Sequence, residues 1–216
     1  MTLPTSSTKT STWPISVGAE AIATAQFARC GFDVLAQSLR DKPWYDFAVT
    51  RAGNLLKISV KASEDGSWNL TQSFSRRSPE PSNRNVDCRS AVDFWVDSQG
   101  TKTICCLVQF EGVTINQLPR IYLAFPYEIA AEMRAAAERT DHCALLEKYE
   151  WTSIDGKRER SVLPPNWRFS QERIQELIDR QAAPLFTGTF SKSSFSAVSV
   201  PPQSRSQGAR EIALSA

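Results

Sequence analysis

Trp44–Lys61, WYDFAVTRAGNLLKISVK, is the stretch of this sequence that decides the fold. Its two apolar, β-branched halves predict strands over Trp44–Thr50 and Leu55–Ala62. The intervening Arg51–Asn54, which contains Ala52-Gly53, predicts a tight turn, so the two strands should pair as an antiparallel hairpin.

The second of these strands alternates in character along its length. Leu56, Ile58 and Val60 should face the core, because successive side chains of a strand point to opposite faces of the sheet. Ser59 and Lys61 should therefore point together into the opposite face.

Further elements surround the hairpin. An Ala-rich helix is predicted over Val17–Cys30, with Ser16 as its N-cap and Gly31 just beyond its end. A polar loop is expected over residues 76–90, and Pro126 should open a second amphipathic helix that ends near Arg139. The other predicted elements are strands over Phe32–Gln37, Trp68–Ser75, Ala91–Asp97, Thr103–Gln109 and Ile121–Phe125, and a capped helix over Ser170–Arg180.

This order of elements predicts an α/β (α+β mixed sheet) fold, in which a central mixed sheet is flanked by helices. We expect the main domain to span residues 16–140 and a small C-terminal extension, residues 141–180, to pack on it. Residues 1–15 and 181–216 are rich in small and polar side chains and are predicted to be disordered.

Composition narrows the class of protein. The net charge is +2, so any nucleic-acid surface would depend on local positive charge. Five cysteines without a CxxC spacing argue against a disulfide framework and against a structural zinc site. No apolar run approaches the ~20 residues that cross a bilayer, and Met1–Thr12 lacks a secretory signal pattern. We therefore expect a cytoplasmic protein with no membrane contact.

Three ionisable residues in the first half suggest chemistry. Glu20 lies in the first helix, Asp46 in the first hairpin strand and Lys61 in the second, and the hairpin should bring Asp46 and Lys61 close together. Phosphodiester hydrolysis requires carboxylates that hold a divalent metal ion and a cation that orients water or stabilises developing charge. Two acids and a lysine meet that minimum, and oxygen ligands suit Mg²⁺ or Mn²⁺.

These residues lie in short motifs: Gly18-Ala19-Glu20, Trp44-Tyr45-Asp46-Phe47 and Ile58-Ser59-Val60-Lys61, preceded by Gly31-Phe32-Asp33-Val34. Their order and spacing resemble the PD-(D/E)XK nuclease superfamily, and within it the Holliday-junction resolvases and small intron-encoded endonucleases. The resemblance covers about residues 16–130. It implies a restriction-endonuclease-like core and a metal-dependent DNA endonuclease acting on duplex or branched DNA.

The resemblance also implies roles for the site residues. Glu20 and Asp46 would be metal ligands, and Lys61 would position the attacking water. One position departs from the family pattern, because Ser59 stands where an acid or Gln is usual. Glu64 or Gln72 could supply the missing oxygen, or the site could be impaired.

The arginines of the polar loop predicted over residues 76–90 suit contact with DNA phosphates. The sequence leaves open whether the chain forms a homodimer. Other interpretations remain. Glu20, Asp46, Lys61 and the arginines could be ordinary surface or structural residues, and Ser59 could be a spacer. The chain could be a catalytically impaired DNA-binding or protein-interaction module of the same fold, or an unrelated α+β interaction protein. The loop arginines predicted to bind DNA are Arg76, Arg77, Arg84 and Arg89.

Overall fold

A five-stranded mixed sheet forms the centre of the molecule. In a computed structural model, residues 12–36, 45–75, 84–100, 102–140 and 143–182 are described. Along the chain, the elements are α1 (Thr12–Arg29), β1 (Asp33–Ala36), β2 (Phe47–Arg51), β3 (Asn54–Ser63), β4 (Ser67–Trp68), α2 (Gln72–Ser75), α3 (Arg84–Asp97), β5 (Thr103–Gln109), β6 (Arg120–Ala124), α4 (Pro126–Thr140), β7 (Leu145–Leu146), β8 (Lys148–Thr152), β9 (Arg158–Val162), a 3₁₀ turn (Pro165–Trp167) and α5 (Gln171–Ala182).

The strand order of the sheet is β1-β2-β3-β5-β6. The β3–β5 pair is parallel and the other three pairs are antiparallel. Helices cover both faces, so the predicted α/β fold with a mixed sheet is confirmed. Two small antiparallel ribbons, β4–β7 and β8–β9, lie outside this sheet.

The hairpin that decides the fold is formed, but its first strand begins at Phe47, so Asp46 lies just before the strand predicted to contain it. Arg51 pairs with Asn54, and the two residues between them, Ala52 and Gly53, have φ angles of 49° and 81°. Positive φ at both central positions is the conformation of a type I′ turn, whose twist matches that of the flanking strands. Glycine adopts this conformation without strain, which explains its place at the turn.

Each face of the sheet has its own apolar core. One face carries Leu56 and Ile58 of β3, which pack with Ala19, Ala23 and Phe27 of α1. The buried residues of α5 belong to this same core and are Ile174, Leu177 and Ile178. The opposite face carries Cys105 and Leu107 of β5, which pack against α3 and α4.

The prediction of which β3 side chains point to which face of the sheet is therefore correct. Leu56 and Ile58 are buried in the α1 face, whereas Ser59 opposes Cys105 and Lys61 opposes Leu107 on the other face. The strands over 103–109 and 121–125 and the helix from Pro126 are also confirmed, the last two within one residue at their ends.

Two predicted strands are wrong. The segment Trp68–Ser75 contains only the end of β4 and the short helix α2. Ala91–Asp97 belongs to α3, which begins at Arg84 and so also replaces part of the predicted loop. The buried residues Ala91, Val92 and Trp95 lie at helical spacing, while Phe94 is 59% exposed. A short apolar run has the same composition in a buried helix and in a strand, and only its packing partners separate the two.

The helix ends agree with the prediction only in part. Helix α1 begins at Thr12, so Ser16 is an exposed residue within the helix rather than its N-cap. Gly31 follows the helix with φ of +79°, as expected for a residue that terminates a helix. Ser170 caps α5 by accepting the Arg173 N–H at 3.1 Å. Residues 1–11 and 183–216 lie outside the described residues, and the predicted domain boundaries stay predictions.

The cysteines correct a second expectation. Cys88 of α3 and Cys143, just before β7, form a disulfide with a Cα–Cα distance of 5.3 Å, whereas the sequence argued against disulfides. Cys30, Cys105 and Cys106 are free thiols. Sequence spacing carried no signal for this pair because 55 positions separate its members. None of the helices in the described part of the chain has both the length and the apolar character needed to cross a bilayer.

Candidate functional site

Asp46 lies where β2 separates from β3. Its backbone N–H donates to the carbonyl of Ile58 at 2.7 Å, and its side-chain Oδ2 accepts the Val60 N–H at 2.6 Å. The Asp46 carboxylate thus takes the place of a backbone carbonyl as the acceptor for the Val60 N–H, at the point where β2 no longer pairs with β3. Since Phe47 pairs with Ile58, Asp46 stands beside Ser59.

Lys61 lies on the same sheet face as Ser59, two residues further along β3. Burial raises the pKa of the facing Cys105 thiol to about 12, and of the nearby charges Lys61 lowers that pKa while Asp46 raises it. Both ionic groups therefore act on one buried sulfur. The backbone carbonyl of Lys61 accepts a hydrogen bond from Trp68 Nε1 at 3.0 Å, which anchors the end of the strand. The structure thus brings Asp46, Ser59 and Lys61 to neighbouring positions.

Glu20 belongs to a different layer. It is half-buried on α1, between the fully buried Ala19 and Ala23 that pack toward the Leu56 and Ile58 face of β3. Ser59 belongs to the opposite face. Convergence of Glu20 with the Asp46 and Lys61 pair stays a prediction.

Ser59 is buried, at 4% exposure, in the position where the family pattern has an acid or Gln. The two residues predicted to replace its oxygen are both exposed: Glu64 follows β3, and Gln72 opens α2. Whether either reaches the Asp46 carboxylate stays a prediction. Of the described residues, the two that the strand register places beside Lys61 offer one carboxylate, that of Asp46, and one neutral hydroxyl, that of Ser59.

These oxygen atoms can be compared with the ligands that a divalent metal ion requires. Carboxylate and hydroxyl oxygens are the hard ligands that Mg²⁺ accepts, and a carboxylate oxygen that accepts one N–H keeps a second lone pair. Within the described ranges, no group of three or more His, Cys, Asp or Glu side chains is arranged to hold a metal ion. The donors therefore match Mg²⁺ in type, with one charged ligand beside Lys61.

The arginines predicted to contact DNA fall in different places. Arg76 and Arg77 lie outside the described residues. Arg84 begins α3, and its side chain is not among those described. Arg89 is an exposed residue of α3 whose guanidinium lies 3.6 Å from Glu138 of α4. Of the four, only Arg89 can be assigned a contact, and that contact is with an acidic side chain of the same molecule.

A second polar cluster, not foreseen from the sequence, surrounds Glu147. This buried carboxylate accepts Arg120 Nε at 2.6 Å, Arg120 Nη2 at 2.7 Å and the Tyr122 hydroxyl at 2.5 Å. Burial alone would raise the pKa of Glu147, but these hydrogen bonds hold it below its usual value. Burial and the hydrogen bond to Glu147 raise the pKa of Tyr122 to about 12. No local motif signals the cluster, because Arg120 and Glu147 are 27 residues apart.

The Glu147 cluster forms the floor of a surface pocket. The pocket has a volume of about 470 Å³, in the range of small-molecule sites. It lies between the first half of β6, the β8–β9 ribbon and the turn before α5. Its lining residues are Arg120, Tyr122, Glu147, Lys148, Val162, Leu163, Pro165 and Arg168.

Comparison with known protein families and with curated proteins gave no match. The likeness to PD-(D/E)XK nucleases therefore depends on the motifs around Glu20, Asp46 and Lys61 alone.

Proposed function

We propose that this chain is a Mg²⁺- or Mn²⁺-dependent DNA endonuclease of the PD-(D/E)XK type. The observation that carries the proposal is the position of Asp46, whose carboxylate lies against the Ser59-Val60-Lys61 segment of β3. Two acids and a lysine are the minimum for phosphodiester hydrolysis. Asp46 and Lys61 supply one acid and the lysine at neighbouring positions of the sheet, and Glu20 is proposed as the second acid.

In this proposal Asp46 would hold the metal ion, with Glu20 as a second ligand. The bound ion would supply positive charge that polarises the phosphate and lowers the pKa of water. The Lys61 ammonium orients the attacking water and stabilises charge on the phosphate oxygens. The water oxygen bonds to phosphorus as the P–O bond to the leaving sugar breaks, and the proton that the water releases passes through solvent to the leaving oxygen.

A second candidate function is a catalytically impaired module of the same fold that binds DNA or a protein partner. Two observations favour it: Ser59 is neutral and buried, and one oxygen of Asp46 is engaged by the Val60 N–H. A homodimer and a cytoplasmic location also remain proposals. In the reducing cytoplasm the Cys88–Cys143 pair would be present as thiols, so its oxidation state in cells tests the location.

Ser59→Glu is the substitution that separates the two functions. It adds a carboxylate on the Lys61 face, since side chains two apart in a strand point the same way. At a buried position an added charge destabilises the fold unless a cation compensates it. We expect Ser59→Glu to lower stability in a chelator, and Mg²⁺ to restore stability and raise DNA cleavage. Ser59→Gln, with the same size and no charge, should gain much less from Mg²⁺.

The assay is a Mg²⁺ titration with labelled duplex, single-stranded and branched DNA, together with thermal unfolding of each variant. Asp46→Asn keeps an oxygen that accepts the Val60 N–H, so the variant should fold. Because the substitution removes the negative charge, the variant should not cleave DNA. One result would favour the binding module instead: folded wild type and Ser59→Glu both fail to cleave and show no metal-dependent binding. A different result, cleavage that Asp46→Asn leaves unchanged, would overturn the assignment of Asp46 as the metal ligand.

A further inference from the structure

The pocket above Glu147 carries an excess of positive charge. Three of its lining side chains, Arg120, Lys148 and Arg168, are cationic, and one, Glu147, is anionic. Arg120 neutralises Glu147 through two short hydrogen bonds. The pocket is thus left with two positive charges, from Lys148 and Arg168.

Neither of these two cations forms an ion pair in the described part of the chain, where no carboxylate lies within 4.0 Å of the Lys148 ammonium or the Arg168 guanidinium. The charge of Lys148 acts on Glu147 only at longer range, where it helps to lower the pKa of that carboxyl. Both residues are exposed, so a ligand from solvent can reach them. A pair of uncompensated cations at a concave surface attracts an anion.

Arg168 is held in place without losing its charge. Its guanidinium carbon lies 5.6 Å from the centre of the Tyr122 ring, and its backbone forms a β-bridge with Tyr122. The ring is fixed in turn by its hydroxyl bond to Glu147 and by edge contact with Trp68. A guanidinium that lies over an aromatic ring keeps its N–H groups for a ligand, and its fork matches phosphate oxygens.

The remaining wall of the pocket is apolar and consists of Val162, Leu163 and Pro165. We propose that this pocket binds a phosphate monoester whose organic group packs on this wall. A monoester carries a charge of about −1.5 to −2 at pH 7, which matches the two available cations, whereas a carboxylate or a diester carries one charge. The proposal depends on the pocket alone and does not require the Asp46 site to be active.

Two sources share this chemistry, namely a free phosphorylated small molecule and the phosphorylated end of a nucleic acid. Calorimetric titration distinguishes them with five probes: a nucleoside 5′-monophosphate, the same nucleoside, inorganic phosphate, and a short oligonucleotide with and without a 5′-phosphate. We expect the monophosphate to bind, the nucleoside not to bind, and inorganic phosphate to compete. If the phosphorylated oligonucleotide binds more tightly than the monophosphate, the ligand of the pocket is the phosphorylated end of a nucleic acid. If the oligonucleotide binds equally or more weakly, the ligand is a free phosphorylated small molecule.

Arg168→Gln and Lys148→Gln each remove one cation from the pocket. Loss of a charge-assisted hydrogen bond should weaken binding of the monophosphate by about tenfold or more. The matched controls are Arg158→Gln and Lys157→Gln, exposed residues of the same ribbon that do not line the pocket, and these should change the affinity by less than about twofold. The proposal is overturned if no phosphorylated probe binds at millimolar concentration. It is also overturned if Arg168→Gln, shown to be folded by its cooperative thermal transition, binds the monophosphate with the same affinity as the controls.

Discussion

Replacing Glu147 by Gln should destabilise the fold strongly at neutral pH. The Glu147 side chain is 5% exposed and accepts three hydrogen bonds, two from Arg120 and one from Tyr122. An amide in its place can keep its oxygen toward Arg120 Nε and the Tyr122 hydroxyl, but its NH₂ group then faces the Arg120 Nη2 donor. The charge pairing and the hydrogen bond from Arg120 Nη2 are then lost.

The size of the effect follows from the burial of the pair. Removing one partner of a buried ion pair costs about 3–5 kcal/mol. Because the Arg120 side chain is 28% exposed, water can solvate part of its released charge, and we expect ~2–4 kcal/mol. With an m-value near 2 kcal/mol/M, this lowers the urea midpoint by about 1–2 M. Tyr122→Phe removes one hydrogen bond and leaves the Arg120 pair, so it should cost less, ~1–3 kcal/mol.

The pH dependence provides an independent test. The folded-state pKa of Glu147 lies below its ordinary value of 4.5. A lowered pKa means that the carboxylate contributes stability that is fully present above pH 4.5 and is lost as the pH falls through the folded-state pKa. The gap between wild type and Glu147→Gln should therefore narrow below pH 4.5. Equal urea midpoints at pH 7, or a gap that does not narrow in acid, would refute this account of the cluster.

Three further predictions concern stability. Reduction of Cys88–Cys143, or Cys88→Ser, should lower the free energy of unfolding by ~2–4 kcal/mol, since the disulfide closes a loop of 55 residues; equal urea curves with and without reductant would contradict this. Leu177→Ala in α5, a fully buried position, should cost ~2–5 kcal/mol, whereas the same change at the 63%-exposed Leu118 should cost little. A chain ending at Ala182 should keep a cooperative thermal transition, because the residues removed are rich in Ser, Ala and Pro; a non-cooperative melt would show otherwise.

The central part of the fold was accessible from the sequence because its signals are local. The Ala52-Gly53 turn joins two strands with opposite-facing apolar and polar side chains, and such patterns are sufficient to set both pairing and parity. The same reasoning places Asp46 next to Ser59 and Lys61. It cannot place Glu20, since the position of one helix over a sheet depends on packing that no local pattern records.

The errors occur where the deciding contacts are distant. The run Ala91–Asp97 is helical because Val92 and Trp95 pack beneath α4. The sequence does carry a signal for the β8–β9 ribbon: in Lys148–Thr152 polar residues alternate with Tyr149 and Trp151, and Asp155-Gly156 follows as a turn. The Glu147 cluster has no such signal, because its members come together only when β6 and the segment before β8 meet.

The candidate nuclease site and the phosphate pocket share one face of the sheet. Lys61 of β3 opposes Leu107 of β5, which opposes Tyr122 of β6, so the three side chains form one row across the strands. Neighbouring strands lie about 4.8 Å apart, which puts Lys61 and Tyr122 roughly 10 Å from each other along this row. Between them Leu107 is fully buried, and Trp68 contacts both ends through its bond to the Lys61 carbonyl and its edge contact with the Tyr122 ring. Leu107 therefore lies between the two sites, but Trp68 is a shared partner of both, and residues with a shared partner can couple even at this distance. A substitution at either site should accordingly be assayed at both, for DNA cleavage and for binding of the monophosphate.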